Sequence, residues 1–259
     1  ATASTATAQH TYAAAGSYEV TLVVTDTAGH TATAKRSVTV TAPVPVGPTV
    51  LGADAFGRTV AGGWGTADRG GAWTTSGTAS SFSVQGGLGL VRSERVGVNR
   101  SVALPGLQST ATDLRLTTSL DTAPTGGGTY VSVIGRRVSA TDDYRAKLRY
   151  QADGRVLVYL TRVVGGTETT LTSAVVSGAV AAADRPLEVR FQVTGTGPTA
   201  LAVKVWPQGS PEPATWTSRT TDTTAVLQAR GGIGALLYVS STGAPVTARF
   251  DDVAATDVP

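Results

Sequence analysis

The chain has 259 residues, 31 of them Gly and 12 Pro, and a formal net charge of +3. It contains no Cys and no Met. That excludes disulfides, thiol nucleophiles and cysteine-ligated zinc, and removes the residues most easily oxidised, which suits life outside a cell. No Lys/Arg run signals nucleic acid and no apolar stretch approaches the ~20 residues that span a bilayer, so neither nucleic-acid binding nor membrane insertion is expected.

Gly and Pro are scattered throughout, and Thr and Val dominate the rest, which favours strands and turns over helices. Apolar and polar residues alternate at period two in segment after segment, so the expected fold class is all-β. The first unit, residues 1–42, has one strand over 17–26, a turn at Ala28-Gly29 and a partner strand over 31–41, with Ala32, Ala34, Val38 and Val40 as candidate inward positions. Residues 43–49 carry Pro43, Pro45 and Pro48 and read as a semi-rigid, extended spacer. The second unit, residues 50–259, has its clearest hairpin in strands 144–151 and 155–163 around Asp153-Gly154. Gly165-Gly166 turns the chain into a further strand over 167–171, and strands follow at 187–193, 200–206 and 246–253. So many strands in ~200 residues imply two packed antiparallel sheets.

Two resemblances sharpen this. His10-Thr11-Tyr12, Ala15-Gly16-Ser17-Tyr18, Val20, Leu22-Val23-Val24 and Asp26 resemble the C-terminal half of a PKD domain, an Ig-like sandwich. The family's upstream half, with its Trp-Asp-Phe-Gly-Asp-Gly signature, has no counterpart here, which implies a further N-terminal stretch or a protein partner that completes the module. Phe56-Gly57-Arg58, the segment from Gly63 to Asp68, Trp73-Thr74, Asp153-Gly154, Val203-Lys204-Val205-Trp206, Trp216 and Phe250-Asp251-Asp252-Val253 are similar to laminin-G-like, concanavalin A-like lectin modules of secreted actinobacterial proteins. That likeness implies a jelly roll, placed outside a bacterial cell or on its surface, and names no ligand.

The chain carries five Glu: Glu19, Glu94, Glu168, Glu188 and Glu212. None has a second acid two or four residues away on the same strand face, as a jelly-roll glucanase would need, so catalysis is not expected. Glu188 is expected to pair with Arg190 on its own face. His10 and His30 both fall in the first unit, so no Ser-His-Asp set can form in the second. Calcium is the one metal with a candidate site: Asp54 opens the second unit, Asp251 and Asp252 close it, and neighbouring terminal strands would bring Asp54 to Asp252. The alternative is that these acids pair with Arg58 or Arg249.

Alternation places Tyr144, Ala146, Leu148 and Tyr150 on one face and Arg145, Lys147 and Arg149 on the other, joined by Tyr159 from the next strand and by Arg136 or Arg137 from the preceding one. Rings for sugar C–H faces and charged forks for hydroxyls or carboxylates are the materials of glycan recognition; a solvated outer face is the alternative. Among the four Trp, Trp64 has the smallest neighbours and is the one most expected to be exposed. The sequence therefore predicts a non-catalytic carbohydrate-binding or adhesion module for a cell-surface polysaccharide, acidic if the Arg145 face is hollow, with candidate site residues Trp64, Arg136, Arg145, Lys147, Arg149 and Tyr159 and a structural Ca2+ at Asp54 and Asp252. The alternatives are a structural subunit of a surface or phage-tail assembly, and an accessory domain of a larger glycoside-active enzyme.

Overall fold

The structure, a computed structural model, describes residues 7, 9–42, 47–240 and 243–258. The chain separates into two compact units, Ala1–Gly47 and Pro48–Pro259. Of the expected spacer, residues 43–46 lie outside the described residues. Among the described residues no helix is long and apolar enough to cross a membrane.

The first unit is an antiparallel hairpin of β1 (Gly16–Thr25) and β2 (Thr31–Val40), with Tyr18 opposite Val38 and Leu22 opposite Ala34. Asp26 builds the turn: its Oδ1 accepts from the backbone N–H of Ala28 at 2.9 Å and of His30 at 2.8 Å, and Gly29 takes the left-handed conformation at φ +88°. Among the expected inward positions Val38 and Val40 are half-buried, whereas Ala32 and Ala34 are exposed. Leu22, Val23 and Val24 are 60%, 56% and 56% exposed, so this hairpin leaves apolar side chains in water on both faces.

The second unit is a sandwich. Its strands are β3 (Val50–Asp54), β4 (Val60–Ala61), β5 (Thr74–Ser76), β6 (Phe82–Gln85), β7 (Leu88–Ser93), β8 (Asn99–Ser109), β9 (Ala111–Leu120), β10 (Thr129–Arg137), β11 (Asp143–Tyr150), β12 (Val156–Val164), β13 (Thr167–Val175), β14 (Leu187–Thr194), β15 (Thr199–Pro207), β16 (Ser218–Asp222), β17 (Gly231–Val239) and β18 (Val246–Asp257). A seven-stranded sheet runs β13-β12-β11-β10-β17-β8-β5. A nine-stranded sheet runs β16-β15-β14-β9-β18-β7-β6-β4, with β3 joined to β18. Alternation decides which side chains face inward. On β11, Tyr144, Ala146, Leu148 and Tyr150 are fully buried, and on β14 Val189, Phe191 and Val193 meet them from the other sheet. Each such side chain contributes about 1.5–3 kcal/mol on leaving water.

One irregularity decides what the seven-stranded sheet shows to solvent. Along β10 and β11, Tyr130 faces Arg149, Ser132 faces Lys147 and Ile134 faces Arg145; the register then slips, so that Arg136 faces Tyr144 and Arg137 faces Asp143. Gly135 is the extra residue of this β-bulge, and a Cβ there would stand 2.6 Å from Val193 and 2.7 Å from Phe191. Gly135 and Arg136 therefore both point inward, and the outward sequence resumes at Arg137.

Candidate functional site

The outer face of the seven-stranded sheet is hollowed into a groove of about 510 Å³ whose lining includes Tyr130, Ser132, Arg137, Arg145, Lys147, Glu168 and Tyr238. Strand register builds it rank by rank. Tyr159, Lys147, Ser132, Leu236 and Ser101 lie side by side on β12, β11, β10, β17 and β8. The adjacent rank is Leu157, Arg149, Tyr130, Tyr238 and Asn99.

Lys147 is central. Its Nζ sits 5.4 Å from the ring centre of Tyr159 and 5.7 Å from that of Tyr130, and the guanidinium of Arg149 lies 5.5 Å from the Tyr130 ring. Tyr130 and Tyr238 pack edge to face at 5.8 Å. Cations near the ring faces hold the rings in place. Arg145 is held by Asp143, with Nε–Oδ1 at 2.5 Å and Nη2–Oδ2 at 2.9 Å. Glu168, from the edge strand β13, bonds Lys147 and stands 3.6 Å from Arg145. Burial pulls the guanidinium pKa of Arg137 below its ordinary value, with the nearby Asp143 opposing. Four cations, Arg137, Arg145, Lys147 and Arg149, thus stand against two carboxylates, Asp143 and Glu168. Three buried polar atoms on this face have no hydrogen-bond partner: Oγ of Ser132 on the groove floor, Nε of Arg149, and Oγ1 of Thr161 across from Arg145.

Of the expected site residues, Arg145, Lys147, Arg149 and Tyr159 come together on this face. Arg136 does not. It is 1% exposed and sealed between the sheets by the Gly135 bulge. There it donates to Thr199 Oγ1 at 2.9 Å, Leu227 O at 3.2 Å and Gly195 O at 3.0 Å, and also to Thr110 O. Trp64 does not face solvent either: at 1% exposure it packs on Phe56 (5.0 Å), Trp73 (4.9 Å) and Phe250 (5.5 Å), and its Nε1 donates to Leu90 O at 3.0 Å. Room for these rings comes from Gly89 on β7, where a Cβ would stand 2.6 Å from Phe56 and 3.0 Å from Trp64, and not from its neighbours in sequence.

The calcium pair is not assembled. Asp54 accepts two bonds from Arg58 (both 2.7 Å), one from Phe56 N (2.9 Å) and one from Trp73 Nε1 (2.7 Å), which fills its lone pairs. Asp252 is exposed in a left-handed conformation at φ 50°. Among the described residues no group of three or more His, Asp or Glu is placed to hold a metal.

Glu188 is not Arg190's partner. Arg190 binds Asp113 through Nη2–Oδ2 at 2.5 Å and Glu212 at 2.9 Å, and its guanidinium lies 5.4 Å from the Trp216 ring. Glu188 lies one strand from Thr117 and two from Asp251, in one rank on the outer face of the nine-stranded sheet. Burial first, then the charge of Asp252, raises the pKa of both acids.

Tyr130, Tyr238, Ser132 and Glu168 were missed by the sequence reading, and of its alternatives Arg136 and Arg137 it is Arg137 that lines the groove. Tyr130 and Ser132 are signalled by Val131 and Val133 alternating with them; Tyr238, in the uniformly apolar stretch of β17, has no such signal.

The family model of the PKD domain matches residues 1–42. No curated protein matches the chain. Among solved structures, the GH43 protein BlXynB of Bacillus licheniformis is 13% identical with a TM-score of 0.56 over 91% of this chain and 46% of its own. The alginate lyase Aly36B is 10% identical, with a TM-score of 0.54 over 82% of this chain and 98% of its own. A β-glucanase of Bacillus licheniformis is 11% identical, with a TM-score of 0.51 over 82% of this chain and 100% of its own. The chain spans under half the length of BlXynB. At these identities the likeness is one of fold: the second unit is a jelly-roll β-sandwich, and the chain as a whole is all-β.

Proposed function

We propose that the second unit is a non-catalytic, extracellular carbohydrate-binding module whose groove takes an acidic polysaccharide. The observation that carries this is Lys147, framed by Tyr130 and Tyr159 and flanked by Arg145 and Arg149 in a solvent-open hollow. The π faces of the tyrosine rings meet the C–H faces of a pyranose while guanidinium forks meet its carboxylates. The two groove carboxylates are engaged in ion pairs with Arg145 and Lys147, which argues against the pair of free acids that glycoside hydrolysis uses. An alginate lyase and a glucanase sharing the fold, the lyase solved with an alginate tetrasaccharide, support a glycan as the class of ligand.

Calorimetric titration with alginate, polygalacturonate and neutral mannan tests this. Acidic chains should bind, lose affinity as NaCl screens the groove, and bind at least about tenfold more weakly to Tyr130→Ala and Lys147→Ala proteins of unchanged Tm. Equal binding of mannan, or no binding of any acidic chain, overturns the reading. New ultraviolet absorbance from an unsaturated sugar product overturns its non-catalytic part.

A structural subunit is the second reading, favoured by the exposed Leu22, Val23 and Val24 of the first unit, which a protein partner would cover. Sedimentation across a range of concentrations separates the two.

A further inference from the structure

Resting on the groove as an acidic-glycan site, we propose that Glu168 is a tethered occupant of that site: its carboxylate holds the place that a ligand carboxylate takes, and ligand binding displaces it.

The placement of Glu168 differs from that of the other groove acid. Asp143 is wholly buried beneath Arg145 and shares β11 with it, two residues away. Glu168 reaches over the groove from the outermost strand of the sheet, just after the paired left-handed glycines Gly165 and Gly166, and its side chain keeps 28% exposure. Its two oxygens address two different cations, Lys147 and Arg145, as a bound uronate carboxylate would. Beside this contact the unpartnered Oγ of Ser132 lies directly across from Lys147 in the register. A buried hydroxyl without a partner costs about 1–3 kcal/mol, so a ligand that supplies one is favoured at this point.

The arrangement sets specificity. A neutral sugar cannot replace the carboxylate on Lys147, and displacing Glu168 would leave that largely buried cation unpaired while Arg145 keeps only Asp143. An acidic sugar exchanges one carboxylate for another, so the site discriminates by charge while never standing open.

The test is titration of wild type, Glu168→Gln, Lys147→Gln and the double variant with an alginate tetrasaccharide and with mannotetraose, folding being checked by thermal melting, with Glu168→Ala in reserve should the Gln protein melt early. Glu168→Gln is expected to bind the alginate probe about tenfold more tightly, with mannotetraose unchanged. The gain should shrink in the Lys147→Gln background, because Lys147 is the nearer of the two cations that Glu168 holds. A gain of equal size in that background marks a field effect spread over the groove and overturns the proposal. Unchanged or weaker alginate binding by Glu168→Gln, with wild type binding alginate, also overturns it and leaves the acidic-glycan reading standing. Failure of wild type and every variant to bind alginate removes both.

Discussion

Arg136 and Arg137 are consecutive, yet Arg136 is sealed between the two sheets and Arg137 opens on the groove. The Gly135 bulge separates them by taking one extra residue out of the pairing with β11. Gly135→Ala drives a methyl group to 2.6–2.8 Å from Val193 and Phe191. It is expected to cost about 1–3 kcal/mol in urea unfolding and to weaken acidic-glycan binding, since the parity of Arg137 depends on the bulge.

The two arginines should separate stability from binding. Arg136→Met removes the guanidinium that four acceptors now share, and should cost about 1–3 kcal/mol in chemical denaturation with little effect on the ligand affinity of the folded protein. Arg137→Ala should stay within about 0.5 kcal/mol of wild type in stability and lose acidic-glycan affinity by calorimetry.

Trp64 is a ring among rings. Trp64→Ala is expected to cost about 3–5 kcal/mol in guanidinium unfolding through the cavity it leaves between Phe56, Trp73 and Phe250. A melting temperature equal to wild type would show that the side chain is not packed as described.

These three positions show what alternation in a sequence reveals and what it hides. Period two places Arg145, Lys147 and Arg149 opposite Tyr144, Ala146, Leu148 and Tyr150, because each successive side chain in a regular strand changes face. The same arithmetic assigns Arg136 outward, since a bulge is written only in the pairing with a neighbouring strand. Trp64 and Asp54 fail for a second reason. Phe250 for the ring and Trp73 for the acid come from distant positions that no local pattern joins, whereas the pairing of Asp54 with Arg58, four residues on, is the alternative the sequence itself offers.

Two glutamates should respond to pH in opposite senses. Burial and the charge of Asp252 raise Glu188 above the ordinary carboxylate range, so the fold holds that proton more tightly than the unfolded chain does. Stability then falls as pH rises through that window, and Glu188→Gln should raise Tm near neutral pH and leave it unchanged in acid. Burial alone would raise Glu212 as well, but hydrogen bonds from Lys204, Arg190 and Arg115 hold it down to about 2. Its contribution is present above the ordinary range and disappears as pH falls toward 2. Glu212→Gln should therefore lower Tm near neutral pH and converge with wild type in strong acid, read by calorimetric scans.

Strand β18 lies inside the nine-stranded sheet, bonded to β9 along one edge and to β7 and β3 along the other, and β17 is likewise enclosed by β10 and β8. The last two strands of the sandwich are thus central in both sheets. During synthesis the earlier strands emerge with their innermost neighbours still inside the ribosome, so the seven-stranded layer cannot close until residue 239 has appeared, nor the nine-stranded layer until residue 257. A nascent chain halted before β17 would expose its core to whatever surrounds it, which ties correct assembly to a holding factor or to rapid emergence of β17 and β18.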